Sequence, residues 1–154
     1  MSTQVVNAVS LASAAIVLAG CHSGRSVVGT WTSSGPDVAA GTTLTATFTE
    51  PDKVKWVMES ASTGSPFRTE MAGTYKLEGH TITIHFDRVS TTTPSAKLAA
   101  DPKWVKFNHG LDAQMLDMLN HRGGGELMWV DDDHFTITTG QPKQTEKYAR
   151  ASGH

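Results

Sequence analysis

From Val27 to Arg150 the chain is a succession of short segments in which apolar residues fall at every second position. That period gives each segment one face for a core and one for water, and it restricts the chain to half-buried β-strands. The first apolar run, Val27-Val28-Gly29-Thr30-Trp31, opens the series. Leu44, Ala46 and Phe48 alternate with threonines. After a turn at Glu50-Pro51-Asp52, the residues Val54, Trp56 and Met58 alternate with Lys53, Lys55 and Val57. Phe67, Met71, Gly73, Tyr75 and Leu77 share one face of a longer strand, and Ile82, Ile84 and Phe86 share a face of the next, opposite Thr81, Thr83 and His85. Glu78-Gly79 between these two is a tight hairpin signal. Gly73 inside its strand predicts a bulge or bend where the sheet curls to close.

Three further runs, Glu126 to Val130, Phe135 to Thr138 and Thr145 to Arg150, bring the count to about eight, with mostly hairpin-length connections. Eight antiparallel strands in sequence are the number that closes into a small up-and-down barrel with a ligand-sized interior. The expected fold class is therefore all-β, and the barrel domain spans 27–151. One connection is long. Residues 89–106 are rich in Ser, Thr, Pro and Ala and read as a loop ending near Trp104. Beyond them Leu111, Met115, Met118 and Leu119 fall on one helical face, with Asn108 as a cap and Gly123-Gly124-Gly125 as a stop. This predicts one helix at about 109–121, inserted between the fifth and sixth strands. It either braces one end of the barrel or forms a lid over its mouth, where Met side chains adapt to varied apolar partners.

Ahead of the barrel, residues 1–20 carry no Lys, Arg, Asp or Glu, and Ala8 to Ala19 form a small, apolar run. That run is too short to remain as a membrane span and fits a secretory signal peptide. Leu18-Ala19-Gly20-Cys21 closes it with the only cysteine of the chain. This sequence resembles the lipobox of bacterial lipoproteins, although Met1 to Asn7 supply no Lys or Arg. The resemblance implies cleavage before Cys21, acylation of that cysteine, and a short polar tether at 21–26. Two or more acyl chains suffice for stable attachment to membrane lipid. His22 follows the cysteine where an Asp would retain the protein at the inner membrane. The resemblance therefore implies a cell-envelope protein, at the outer membrane facing the periplasm if the source has two membranes.

The mature part contains all 13 basic and 15 acidic residues and no basic block, which argues against a nucleic-acid partner. Gly29-Thr30-Trp31 on the first strand, the eight-strand meander and Arg150 on the last strand together resemble the lipocalin-like (calycin) barrels. In that family the first-strand Trp lies across the closed end and a cation from the last strand stacks on it. The resemblance implies that Trp31 and Arg150 close this barrel. The chain departs from the lipocalin pattern in having no second cysteine for a disulfide and in placing its helix before the sixth strand.

No residue set points to catalysis. Cys21 is assigned to lipid, no Gly-x-Ser-x-Gly elbow occurs, and Gly123 to Gly125 lack the Lys-Ser/Thr of a phosphate-binding loop. Asp131-Asp132-Asp133-His134 has metal-ligand chemistry, but it stands where a hairpin turn is needed and Asp suits turns. Met115, Met118 and His121, with His109 upstream, carry soft donors suited to copper(I), but core packing accounts for the methionines first. No metal or cofactor is expected. Two functions remain open: a barrel holding a small apolar or amphipathic ligand, and a filled barrel acting through its outer surface. In the first, Trp56, Phe67, Met71, Tyr75, Ile84, Phe86, Met115 and Met118 face the ligand. Replacement of Cys21 by Ser should release the protein from the membrane or leave it unprocessed. Detergent partitioning unchanged from the parent would refute the lipid anchor.

Overall fold

A computed structural model describes residues 25–34, 41–61 and 66–152; the leader and Cys21 lie outside the described residues. The period-two segments form eight antiparallel strands: β1 (Gly29–Ser34), β2 (Thr42–Thr49), β3 (Lys53–Ser60), β4 (Phe67–Glu78), β5 (Thr81–Thr92), β6 (Gly124–Trp129), β7 (His134–Thr139) and β8 (Gln144–Arg150). Each strand pairs with its sequence neighbours and β8 returns to β1, so the sheet is a closed barrel. The closing register sets Trp31 opposite Arg150 and Ser33 opposite Tyr148. Closure leaves β5 beyond Thr83 as the longest strand edge among the described strands that no strand covers.

Gly73 stands where the sheet curls. The β4–β5 register shifts between Ala72 and Gly73, and a Cβ on Gly73 would lie 1.9 Å from the His85 carbonyl oxygen. Only a residue without a side chain permits that approach. Gly124 and Gly125, expected as part of a helix stop, instead begin β6. A Cβ there would lie 2.1 Å from the Ile82 carbonyl oxygen and 2.2 Å from that of Thr138.

The long connection differs from expectation. β5 continues to Thr92, a short helix α1 spans Ala96–Ala99, and α2 runs from Pro102 to Arg122, well before the expected start at about 109. Asp101 is its N-cap, accepting from the Lys103 amide, and Pro102 occupies the first turn, where its missing N–H costs nothing. Asn108 lies inside the helix and donates from Nδ2 to the Trp104 carbonyl. Gly123 ends α2 in the left-handed conformation. The expected apolar face is also rotated. Met115, Leu116 and Leu119 pack on the core, whereas Leu111 and Met118 are exposed.

One end of the barrel, the floor, carries the N-terminal end of β1, the β2–β3, β4–β5 and β6–β7 turns and the C-terminal end of β8. Trp31 is fully buried there, and its Nε1 donates to the Val27 carbonyl at 2.7 Å. Phe135 meets it edge-on at 4.6 Å and stacks on Tyr148 at 4.8 Å, while Phe48 meets Tyr75 at 5.1 Å. The Arg150 guanidinium carbon sits 4.3 Å from the centroid of Trp31, and Arg150 Nε also donates to the Asp133 carboxylate at 3.0 Å. Trp31→Ala should cost about 3–5 kcal/mol, and Arg150→Ala less. In a double-mutant cycle the pair should show coupling of about 0.5–2 kcal/mol. Strict additivity in denaturant unfolding would mean that the cation contributes nothing through the indole.

Candidate functional site

The floor half of the barrel is packed by aromatic rings. The other half encloses a cavity of about 390 Å³ lined by residues from seven strands, β2 to β8, and by α2. Its existence follows from an incomplete seam. β5 pairs with β6 only from Thr81 to Thr83, against Gly124 to Glu126, so most of β5 has no strand on that side. The helix takes the place of the missing strand. Gly123 accepts from the Ile84 amide at 3.0 Å. The Asn120 side chain then mimics a strand residue, with Oδ1 accepting from the Phe86 amide at 2.8 Å and Nδ2 donating to the Phe86 carbonyl at 2.9 Å. Farther along, the Asp112 carboxylate accepts from the amide and hydroxyl of Thr91. These bonds supply partners to Ile84, Phe86 and Thr91 of β5 and place the methionines of α2 over the barrel interior.

Six of the residues expected to face a ligand line this cavity: Trp56, Met71, Ile84, Phe86, Met115 and Met118. Phe67 and Tyr75 do not. Phe67 opens β4 at the far rim, opposite Ser60, and Tyr75 sits at floor level against Phe48. Their inward parity is right, but a strand of 12 residues spans about 40 Å, so one face passes through several levels. Burial pushes the Tyr75 hydroxyl above its ordinary pKa, with the charges of Glu50 and Asp52 acting in the same direction. Leu44, Met58, Leu119 and Tyr148 complete the apolar wall.

The polar part of the lining was missed in the sequence. Glu146 on β8 is only 9 % exposed and reaches the cavity, where its Oε2 accepts from the Ser33 hydroxyl at 2.7 Å. The signal was present: Glu146, Tyr148 and Arg150 share one face by the period of two, and a charge at an inward position is unusual. Thr139 and the exposed Arg122 stand beside the same space. In the wall itself, Trp56 Nε1 is buried and meets no acceptor among the described residues, while its ring stands edge-to-face on Phe86 at 5.1 Å. A buried donor left unpaired costs about 1–3 kcal/mol.

The acidic turn at 131–134 is separate from this cavity. Asp131 accepts from the Asp133 amide and from His134 Nδ1, which lowers its carboxyl below the usual range, with the His134 bond the larger cause. No cluster of His, Cys, Asp and Glu able to hold a metal occurs among the described residues. Nor is any helix among them long and apolar enough to cross a membrane.

No protein-family model matches the chain, and the comparison with curated proteins finds no significant match.

Asn120 therefore carries a specific expectation. Asn120→Leu keeps the branched four-atom outline of the side chain but leaves the Phe86 amide and carbonyl without partners, so stability should fall by about 1–3 kcal/mol. Amide exchange at Ile84 and Phe86 should accelerate more than exchange in β2 or β3. Uniform acceleration across all strands would show that α2 is not a separate closing element.

Proposed function

We propose that this protein is a lipid-anchored protein of the bacterial cell envelope whose lipocalin-like barrel holds a small apolar or amphipathic ligand. The single observation that carries the ligand reading is the cavity of about 390 Å³, walled by Trp56, Met58, Met71, Phe86 and Met115 and provided with a polar pole at Glu146. Ligand sites of drug-sized molecules occupy about 300–1,000 Å³ and combine an apolar wall with a few placed polar groups. The methionines suit such a wall, because an unbranched thioether side chain repacks around different shapes. The cation over Trp31 at the floor supports the lipocalin-like assignment. The signal-like run ending in Cys21 supports the anchor and the envelope location.

A filled barrel acting through its outer surface is the second reading, and the solid aromatic packing of the floor half favours it. The two differ in what a neutral apolar fluorophore does. N-phenyl-1-naphthylamine should bind the parent with micromolar affinity and enhanced emission. Ile84→Trp, which fills the cavity, should weaken binding by about tenfold or more, equivalent to about 1.4 kcal/mol. Phe107→Ser, on the exposed side of α2, should leave it unchanged. No emission change with the parent protein, or equal binding by the Ile84→Trp variant, would favour the filled barrel.

A further inference from the structure

Resting on the ligand-binding reading above, we propose that the cavity selects an organic cation: an apolar body bearing a protonated amine that pairs with Glu146. Among the described residues the carboxylate is the one acidic group in the lining, and it is nine-tenths buried. Its single hydrogen-bond partner among the described residues is the Ser33 hydroxyl, and no cation pairs with it there. A carboxylate removed from water is costly unless it is paired and hydrogen-bonded. Ser33 supplies one neutral donor, so the group retains capacity for a second, charged one.

Two further features favour positive charge. Trp56 and Phe86 line the same cavity, and aromatic faces attract ammonium groups within about 6 Å. The C-terminal turn of α2, with its partial negative charge, borders this cavity through Leu119 and Arg122. Arg122 opposes them, but it is exposed at the rim, where water and salt screen its charge. Glu146 is inside, where screening is weak. Among the described residues the sign of the interior is therefore negative, and a fatty-acid carboxylate would meet a like charge in a confined apolar space.

The test uses three ligands of equal chain length: decylamine, decanol and decanoate, competed against N-phenyl-1-naphthylamine at pH 7. Decylamine should bind the parent at least about tenfold more tightly than decanol, and decanoate should be weakest. In Glu146→Gln, which keeps an acceptor for Ser33, the amine should lose its advantage while decanol affinity stays within about twofold. Should that variant not fold by circular dichroism, the amine-to-decanoate ratio in the parent decides alone. Decanoate binding as tightly as decylamine, or an amine preference that survives Glu146→Gln in folded protein, would overturn the proposal. Decanol binding without any amine preference would overturn the cation assignment and leave the ligand-binding reading standing. Displacement of the probe by none of the three would overturn the cation assignment alone, and failure of the probe itself to bind would overturn both.

Discussion

Every backbone donor and acceptor along a buried strand edge must find a partner, and in this barrel β5 is the strand that makes the requirement hard to meet. It has 12 residues, whereas β6 has six and reaches only its first three. A strand cannot supply the rest, so a helix does. Asn120 reproduces the two bonds of a strand neighbour at Phe86, the end of α2 provides a third through Gly123, and Asp112 provides the bonds at Thr91. The barrel is thus closed by seven full strand interfaces and one composite seam. A helix stands farther from its neighbour than a strand does: interaxial distances of 8–10 Å replace an inter-strand spacing of about 4.8 Å. The interior widens beside it, and the cavity occupies that widening.

The floor has no such slack. Trp31, Phe48, Phe135 and Tyr148 fill it with large rings at edge-to-face or stacked distances, and the chain termini of the barrel are tied across it. Arg150 spans the Trp31 face and the Asp133 carboxylate, its amide donates to the Asp133 carbonyl, and Arg25 pairs with Asp132 in the same turn. The three aspartates of the turn therefore serve three local purposes: two hold arginines, and Asp131 holds His134 and the turn backbone. A cluster with the composition of a metal site is used up by hydrogen bonds. The barrel is rigid at one end and adaptable at the other, and the methionines are concentrated at the adaptable end.

Much of this was legible in the sequence, and for a simple reason. Strand parity is local, so alternation at 44–48, 54–58 and 82–86 assigns face and strand without knowledge of the partner. Gly73 marked the bulge because a missing side chain in a strand needs a close neighbour. The pairing of Trp31 with Arg150 was reached through likeness to a known barrel type, and the register places them opposite each other. The start of α2 was misplaced although Asp101-Pro102 is a sound N-terminal signal. The Ser/Thr/Pro/Ala composition around it outweighed the cap, and the helix has no buried residue of its own to sharpen the period.

What the sequence determined by itself was the strand content, the inward faces of β2 to β5, the number that closes a barrel and the connection that carries the inserted helix. Each is fixed by interactions between residues a few positions apart. What only the tertiary structure decided was height along the barrel and the company each inward residue keeps. Phe67, Met71 and Tyr75 share a face on β4, yet only Met71 lines the cavity. Glu146 shares a face with Tyr148 and Arg150, yet it alone becomes a buried carboxylate beside a ligand-sized space. Parity assigns a side chain to the inside. Which level of the inside is filled, and which is left open, depends on the stagger of eight strands and on a helix standing where a strand would be.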